Sequence, residues 1–433
     1  MDGWGRSVAR MWLFFRCGWR LLMVLGCLAS TIAFSANKAA SLAAEDVRWL
    51  NRVTYGIDSG TLERYRLLGR KRFLEEQLGP NRLQVAADVQ GAISGLGISQ
   101  NSLEPLLVEV AVQNQRIQAL PDGELRQQAR QAQNQAANQA AAETARRHLL
   151  RALWSPGQLQ EQMTWFWLNH FNFFQGKGNL RWTLADYEER AIRPHALGRF
   201  RDLVMATLTH PAMLVYLDNA QSTGGRLNKN YARELLELHT LGVEGGYTQQ
   251  DVQKLARVLT WVGVNPGKEP RLKVEWKLLY RHAGAFEFNP ARHDFGVKKV
   301  LGAQFQGEGF AEVEQLVALL VAHPATARFV SRKLAAYWMG DEPPQALVDS
   351  MAREFRRTQG DIPAVLRVLF ASRAFTDSLG HAFKDPMHFV LSALRLAYDG
   401  TRPLNMKPVI NWLNALGEPL FGHGSLMIAK WPS

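Results

Sequence analysis

Five side chains able to do chemistry crowd into residues 228–242, which read N-K-N-Y-A-R-E-L-L-E-L-H-T-L-G. They are Asn230, Arg233, Glu234, Glu237 and His239. A helix turns about 100° per residue, so with Glu234 as origin Asn230, Arg233 and Glu237 fall within about 100° on one side of it. The pairs Asn230–Glu234 and Arg233–Glu237 are spaced i, i+4 and face each other. Leu235, Leu238 and His239 fall elsewhere, so this is not a one-face metal site of the H-E-x-x-H kind. Gly242 predicts a C′ stop, with His239 in the last turn, where a histidine suits the helix dipole.

Two readings of this face follow. A charged helix face is commonly a solvated, salt-bridged surface. The sharper reading buries the face along a cleft. Two carboxylates beside an arginine can then be held in different protonation states for acid–base catalysis, or can share a divalent cation. On that reading Glu234 and Glu237 are catalytic, and Asn230 and Arg233 bind.

Four residues elsewhere are candidates to complete the site. His170 ends an apolar stripe of Leu159, Met163, Phe166 and Trp167, with Phe171, Phe173 and Phe174 close by. A histidine there is ordinarily a satisfied core group, but an aromatic wall can also shift its pKa. Arg193 precedes Pro194, which pushes it out of helical geometry and makes it either an anion clamp or half of an ion pair. His293-Asp294 sits in a segment rich in Gly and Pro, where loops carry function; the pair reads as a base with its partner, or as metal ligands. Its spacing matches no specific zinc motif.

The stretch 228–242 resembles the signature of the bacterial family known as domain of unknown function 1800. The likeness continues through Gly245, Gly246, Tyr247, Thr248, Asp251, Val252, Thr260 and Trp261. Upstream it takes in L-N-R-V-T-Y-G, F-W-L-N-H-F, I-R-P-H-A-L-G-R-F-R-D-L and H-P-A-M-L-V-Y-L-D-N. Downstream it takes in H-D-F-G-V-K and H-P-A-T-A-R-F. It covers nearly all of the chain after residue 45. The family name implies no established activity. The resemblance also implies a recurrent genetic pairing with a second exported family, hence an exported partner protein. Members continue past G-x-P-L-F with a glycine- and tryptophan-containing segment and a final helix. Here Gly417-Glu418-Pro419-Leu420-Phe421 is followed by twelve different residues, so a shortened C-terminus is expected.

Arg6, Arg10, Arg16 and Arg20 precede or border an apolar run that ends near Phe34. A basic region followed by a short apolar one predicts a secretory signal peptide over residues 1–35, and hence a periplasmic or secreted protein. Cys17 and Cys27 both lie in that leader. The mature domain, residues 45–433, then has no disulfide, thiol nucleophile or thiolate site. The net charge of +12 suits an anionic polymer or envelope surface. No nucleic-acid-binding signature is visible, and nucleic acid is not expected as a partner. Neither G-x-x-x-x-G-K-[ST], G-x-G-x-x-G nor G-x-S-x-G occurs, so nucleotide-loop and nucleophile-elbow enzymes have no support.

The spacing of apolar residues predicts a mainly α-helical, large multi-helix domain with one loop-rich or short-strand insertion at residues 263–300. Residues 124–153 predict one long helix of strong helix formers, either an exposed arm or a loosely packed outer helix. His210-Pro211 and His323-Pro324, each preceded by Leu-Val at the same distance, predict a repeated helix–turn–helix with histidine N-caps. These features point to an exported hydrolase acting on an envelope or extracellular polymer, or to a non-catalytic binding or assembly protein.

Overall fold

The computed structural model describes residues 42–79, 83–223, 225, 227–340 and 342–422. The leader expected over residues 1–35 lies outside them. The chain divides into two units between Val47 and Arg48. The second holds the fold, which is mainly α-helical with two small antiparallel sheets. No described helix is long and apolar enough to cross a membrane.

Local chemistry sets the helix ends. His210 and His323 accept a hydrogen bond through Nδ1 from Ala212 N and Ala325 N (3.1 and 3.2 Å), each ahead of a proline at the first helical position. Both are N-caps, as the repeat predicts. Thr248 and Asp251 form a reciprocal capping box at the start of the helix Gln249–Val258. Gly242, at φ +85°, ends the central stretch. Ser155 caps the end of the long helix Glu124–Trp154, and the next helix, Gln158–His170, begins after Gly157. Gln158 folds back onto the carbonyls of Ala152 and Ser155 (3.0 and 2.8 Å) and ties the two helices together.

The helix Gln158–His170 is the centre of the core. All its residues but Asn169 are buried, not only the predicted apolar stripe. Its polar side chains are tolerated because each finds a partner. Glu161 meets Arg193, Gln162 meets His388, Thr164 Oγ1 bonds the Gln160 carbonyl, and Gln158 Oε1 accepts from Tyr55 N. The long helix is two things in one: residues before Thr144 are largely exposed, whereas Thr144 to Leu153 is buried except for Arg146.

The predicted insertion contains five three-residue strands and extends to Phe305. These are β1 (Val262–Val264), β2 (Arg281–Ala283), β3 (Phe286–Phe288), β4 (Lys298–Val300) and β5 (Ala303–Phe305). The sheet order β1-β3-β2 puts β3 in the middle, with Val262 opposite Phe288 and Ala283 opposite Phe286. Alternation sends Glu287 to the face opposite both phenylalanines. There it accepts from Asn265 Nδ2 (2.9 Å) and Tyr280 Oη (3.0 Å). Within the insertion, Val274–Lys277 is a single helical turn with no buried residue. A β-branched residue packs into a sheet only where a neighbouring strand exists to receive it.

Candidate functional site

The central stretch is not a uniform helix. It is α-helical from Lys229 to Glu234 and π-helical from Leu235 to Thr240. Leu241 N bonds the Leu236 carbonyl five residues back (2.8 Å), and Thr240 Oγ1 bonds the Leu235 carbonyl (2.5 Å). Single π-turns within helices occur frequently at functional sites. The wider turn separates two kinds of side chain. Leu235, Leu236, His239 and Thr240 are buried, while Glu234 and Glu237 are half-buried and Asn230 and Arg233 are exposed.

Each member of the accessible face is held lightly. Asn228 caps the helix by accepting from Asn230 N (2.8 Å). Arg233 Nη2 donates to Gln249 Oε1 (3.2 Å). Tyr247 Oη donates to Glu237 Oε2 (3.4 Å). Glu234 accepts no side-chain hydrogen bond among the described residues. Burial, and then the charge of Glu237, push its carboxyl above the usual range, with Arg233 pulling the other way. The two glutamates therefore stand in unlike surroundings on one surface.

The other predicted site residues go elsewhere, and each is held by partners of its own. Asp294 makes a two-pronged pair with Arg257 (Nε–Oδ2 2.6 Å, Nη2–Oδ1 2.9 Å), which holds its carboxyl down at about 2. His293 has no exposed side-chain surface. Its Nδ1 lies 3.0 Å from both the carbonyl and the hydroxyl of Thr260, and its Nε2 lies 3.2 Å from Glu312 Oε2. Lys298, equally buried, donates to the same Glu312 oxygen (2.5 Å), and Gly307 N donates to the other. His293-Asp294 and the central face sit at opposite ends of the helix Gln249–Val258. Gln249 meets Arg233 and Arg257 meets Asp294, a separation of about 12 Å at 1.5 Å per residue. The grouping of His293 and Asp294 with Glu234 and Glu237 in one cleft is therefore not what the structure shows.

Arg193 is not an open anion clamp. It pairs with Glu161 (2.6 Å), whose side chain is 1% exposed. Nor does Pro194 push it from helical geometry: Arg193 sits at φ −59°, ψ −42°. The Glu161 pair, with the Gln160 amide on its carbonyl (3.3 Å), fixes it at the end of a second π-turn, Tyr187–Ile192. His170 is a core histidine. Its Nε2 reaches the His239 carbonyl (3.0 Å), and its ring lies against Phe171 and Trp167 (4.5 and 5.4 Å between centroids). Burial, then Lys333 and His239, keep it neutral, well below its ordinary pKa. Burial and Lys333 also lower His239, to about 3, and burial lowers Lys333 to about 8.

A cluster not anticipated from sequence lies where Gln162 meets the start of the helix Pro386–Ala397. Asp385 caps that helix and bonds His388 Nδ1 (2.7 Å), while His388 Nε2 faces Gln162 Oε1 (3.0 Å). Tyr55 and Tyr337 flank the imidazole at 5.0 and 5.9 Å between centroids. Glu418, which accepts from Met387 N (2.9 Å), is pushed up to about 8 by burial and by Asp385. The available sequence signal was the i, i+3 spacing of Asp385 and His388 beside a proline. Among the described residues, no group of three or more His, Cys, Asp or Glu converges in a way that could hold a metal ion, and Glu234 and Glu237 stand as a pair.

The family described as protein of unknown function, DUF1800, matches residues 48–427, nearly the whole chain. The chain belongs to the DUF1800 family. Neither a curated protein nor a solved structure matches it. In this DUF1800 chain the matched region contains both π-turns, the buried Glu312 network and the Asp385–His388 cluster. The carboxylate face makes no ion pair to an interior partner among the described residues.

Proposed function

We propose that this chain is an exported hydrolase that attacks an envelope or extracellular polymer through Glu234 and Glu237. The observation that carries the reading is the unlike environment of two neighbouring carboxyls on an accessible face: Glu234 is raised by burial, and Glu237 is bonded by Tyr247. Pairs of carboxyls whose surroundings separate them can divide acid and base roles. Glu234, whose surroundings disfavour the charged form, donates to the leaving oxygen of the scissile bond. Glu237, as carboxylate, takes a proton from the attacking water. Arg233 and Asn230 hold the polymer's polar groups. The basic chain and the secretory pattern of residues 1–35 support an anionic substrate outside the cytoplasm.

The test is release of soluble fragments from purified envelope polymer by wild type, Glu234→Gln and Glu237→Gln, each confirmed folded by circular dichroism. A general acid or base contributes about 10²–10⁴-fold, so each variant is expected to lose at least about a hundredfold. Full activity in both variants would end the reading.

A second reading, an assembly protein with an exported partner, draws on a different observation. The C-terminal helices Pro386–Ala397 and Lys407–Ala415 leave Phe389, Leu396, Trp412 and Leu416 between 49% and 72% exposed. Contiguous exposed apolar surface marks interaction sites. Co-purification with a stoichiometric partner that Phe389→Ser plus Leu396→Ser abolishes would favour it.

A further inference from the structure

A cleft of about 560 Å³ lies between residues 90–106 on one side and the long helix Glu124–Trp154 with residues 181–190 on the other. That volume falls within the roughly 300–1,000 Å³ of small-ligand sites. Four arginines line it: Arg147, Arg151, Arg181 and Arg190. Three are matched by carboxylates. Arg147 and Arg151 meet Glu189 (3.5 and 2.6 Å), and Arg190 meets Asp186 (3.1 Å).

Arg181 is different. It forms no ion pair among the described residues. Two neutral amide oxygens of the long helix, Asn138 Oδ1 (2.5 Å) and Asn134 Oδ1 (3.0 Å), position its guanidinium. Its Nε is buried without a partner. So is the Nε of Arg147, whose side chain is 4% exposed. A guanidinium fixed in place, with donors to spare, is arranged for a planar, two-pronged acceptor.

The remaining lining narrows the ligand. Trp182, half-buried beside Arg181, offers an apolar ring face, while Gln90, Ser94 and Asn101 supply amides and a hydroxyl suited to hydroxyl groups. Phosphate fits less well. Ile98 N, near the start of the short helix lining the cleft, is already taken by Glu143 (3.2 Å). We propose that this cleft binds a carboxylated sugar, a short stretch of uronate-bearing polysaccharide. Arg181 engages the carboxylate and Trp182 stacks on the sugar ring. The inference does not rest on the Glu234–Glu237 reading, because a binding measurement reports on it whether or not that face turns anything over.

The experiment is calorimetric titration of the purified protein with trigalacturonate, with maltotriose as the neutral match and inorganic phosphate as the bare anion. Wild type, Arg181→Gln, Arg181→Lys and Trp182→Leu are compared, each with its thermal melt. Trigalacturonate is expected to bind and the other two ligands are not. Losing a hydrogen bond to a charged group is expected to weaken binding about tenfold or more in Arg181→Gln. Trp182→Leu should weaken it also, and Arg181→Lys should lie between, keeping the charge without the fork. No binding of trigalacturonate to wild type would overturn the proposal, as would equal binding of phosphate or unchanged affinity in both Arg181→Gln and Trp182→Leu.

Discussion

Glu312 and Glu234 show two fates of a glutamate in one chain. Burial works against the charge of Glu312, but hydrogen bonds from His293, Lys298 and the Gly307 amide hold its carboxyl below the usual range. Removing one partner of such a buried pair leaves the other uncompensated. Glu312→Ala is expected to lower stability by about 3–5 kcal/mol in urea unfolding. Glu354→Ala, which breaks only the surface pair with Arg357, is expected to cost about 0–1 kcal/mol. Similar losses in the two variants would contradict this account of the interior. Glu234 has no such support, and its surroundings disfavour the charged form. Glu234→Gln should therefore melt no lower than wild type at neutral pH. A clear drop in its melting temperature would make Glu234 a structural residue.

At the scale of elements, the central stretch depends on its π-turn and on the glycine that ends it. Gly242 has φ +85°, and a Cβ there would lie 2.8 Å from Phe329 Cδ2. Gly242→Ala is expected to destabilise by more than about 1 kcal/mol in thermal melts, since both strain and overlap oppose it. A neutral effect would mean that the stretch can end in another way. Features of this scale were legible where they are local. His210, His323 and Gly242 all cap as their spacing predicts, because a cap needs only residues within one turn. The π-turns were not legible, because no residue type marks them and a 100° wheel assumes them away. Nor were the partners of Arg193, His293 and Asp294. Glu161, Glu312 and Arg257 lie 32, 19 and 37 residues away, and tertiary packing brings them in. Thus the carboxylate face was readable as a unit, whereas the wider site built around it was not.

For the whole molecule, the buried titratable groups set a pH window. The folded pKa of His239 is near 3 against an ordinary 6.5, and that of His170 is also lowered. Their stabilising contribution is complete above about pH 6.5 and is lost as pH falls toward 3, where the unfolded chain binds protons that the folded chain refuses. Glu418 acts in the opposite direction. Its folded pKa near 8 lies above an ordinary 4.5, so its contribution is complete below about pH 4.5 and is lost as pH rises through 8. Urea unfolding across pH should then show loss on both sides. His239→Gln should flatten the acid limb and Glu418→Gln the alkaline limb. Profiles parallel to wild type in both variants would contradict these assignments.

The measurement that tests the central claim most directly is a carboxyl-carbon NMR titration of protein labelled with ¹³C-glutamate. Glu234 is assigned by its loss in Glu234→Gln. The account predicts that Glu234 titrates above the ordinary glutamate range, and that its midpoint falls in Glu237→Gln, where the neighbouring charge is gone. An ordinary Glu234 midpoint, unmoved by Glu237→Gln, would contradict the account: the two carboxyls would then be independent surface groups with no division of acid and base between them.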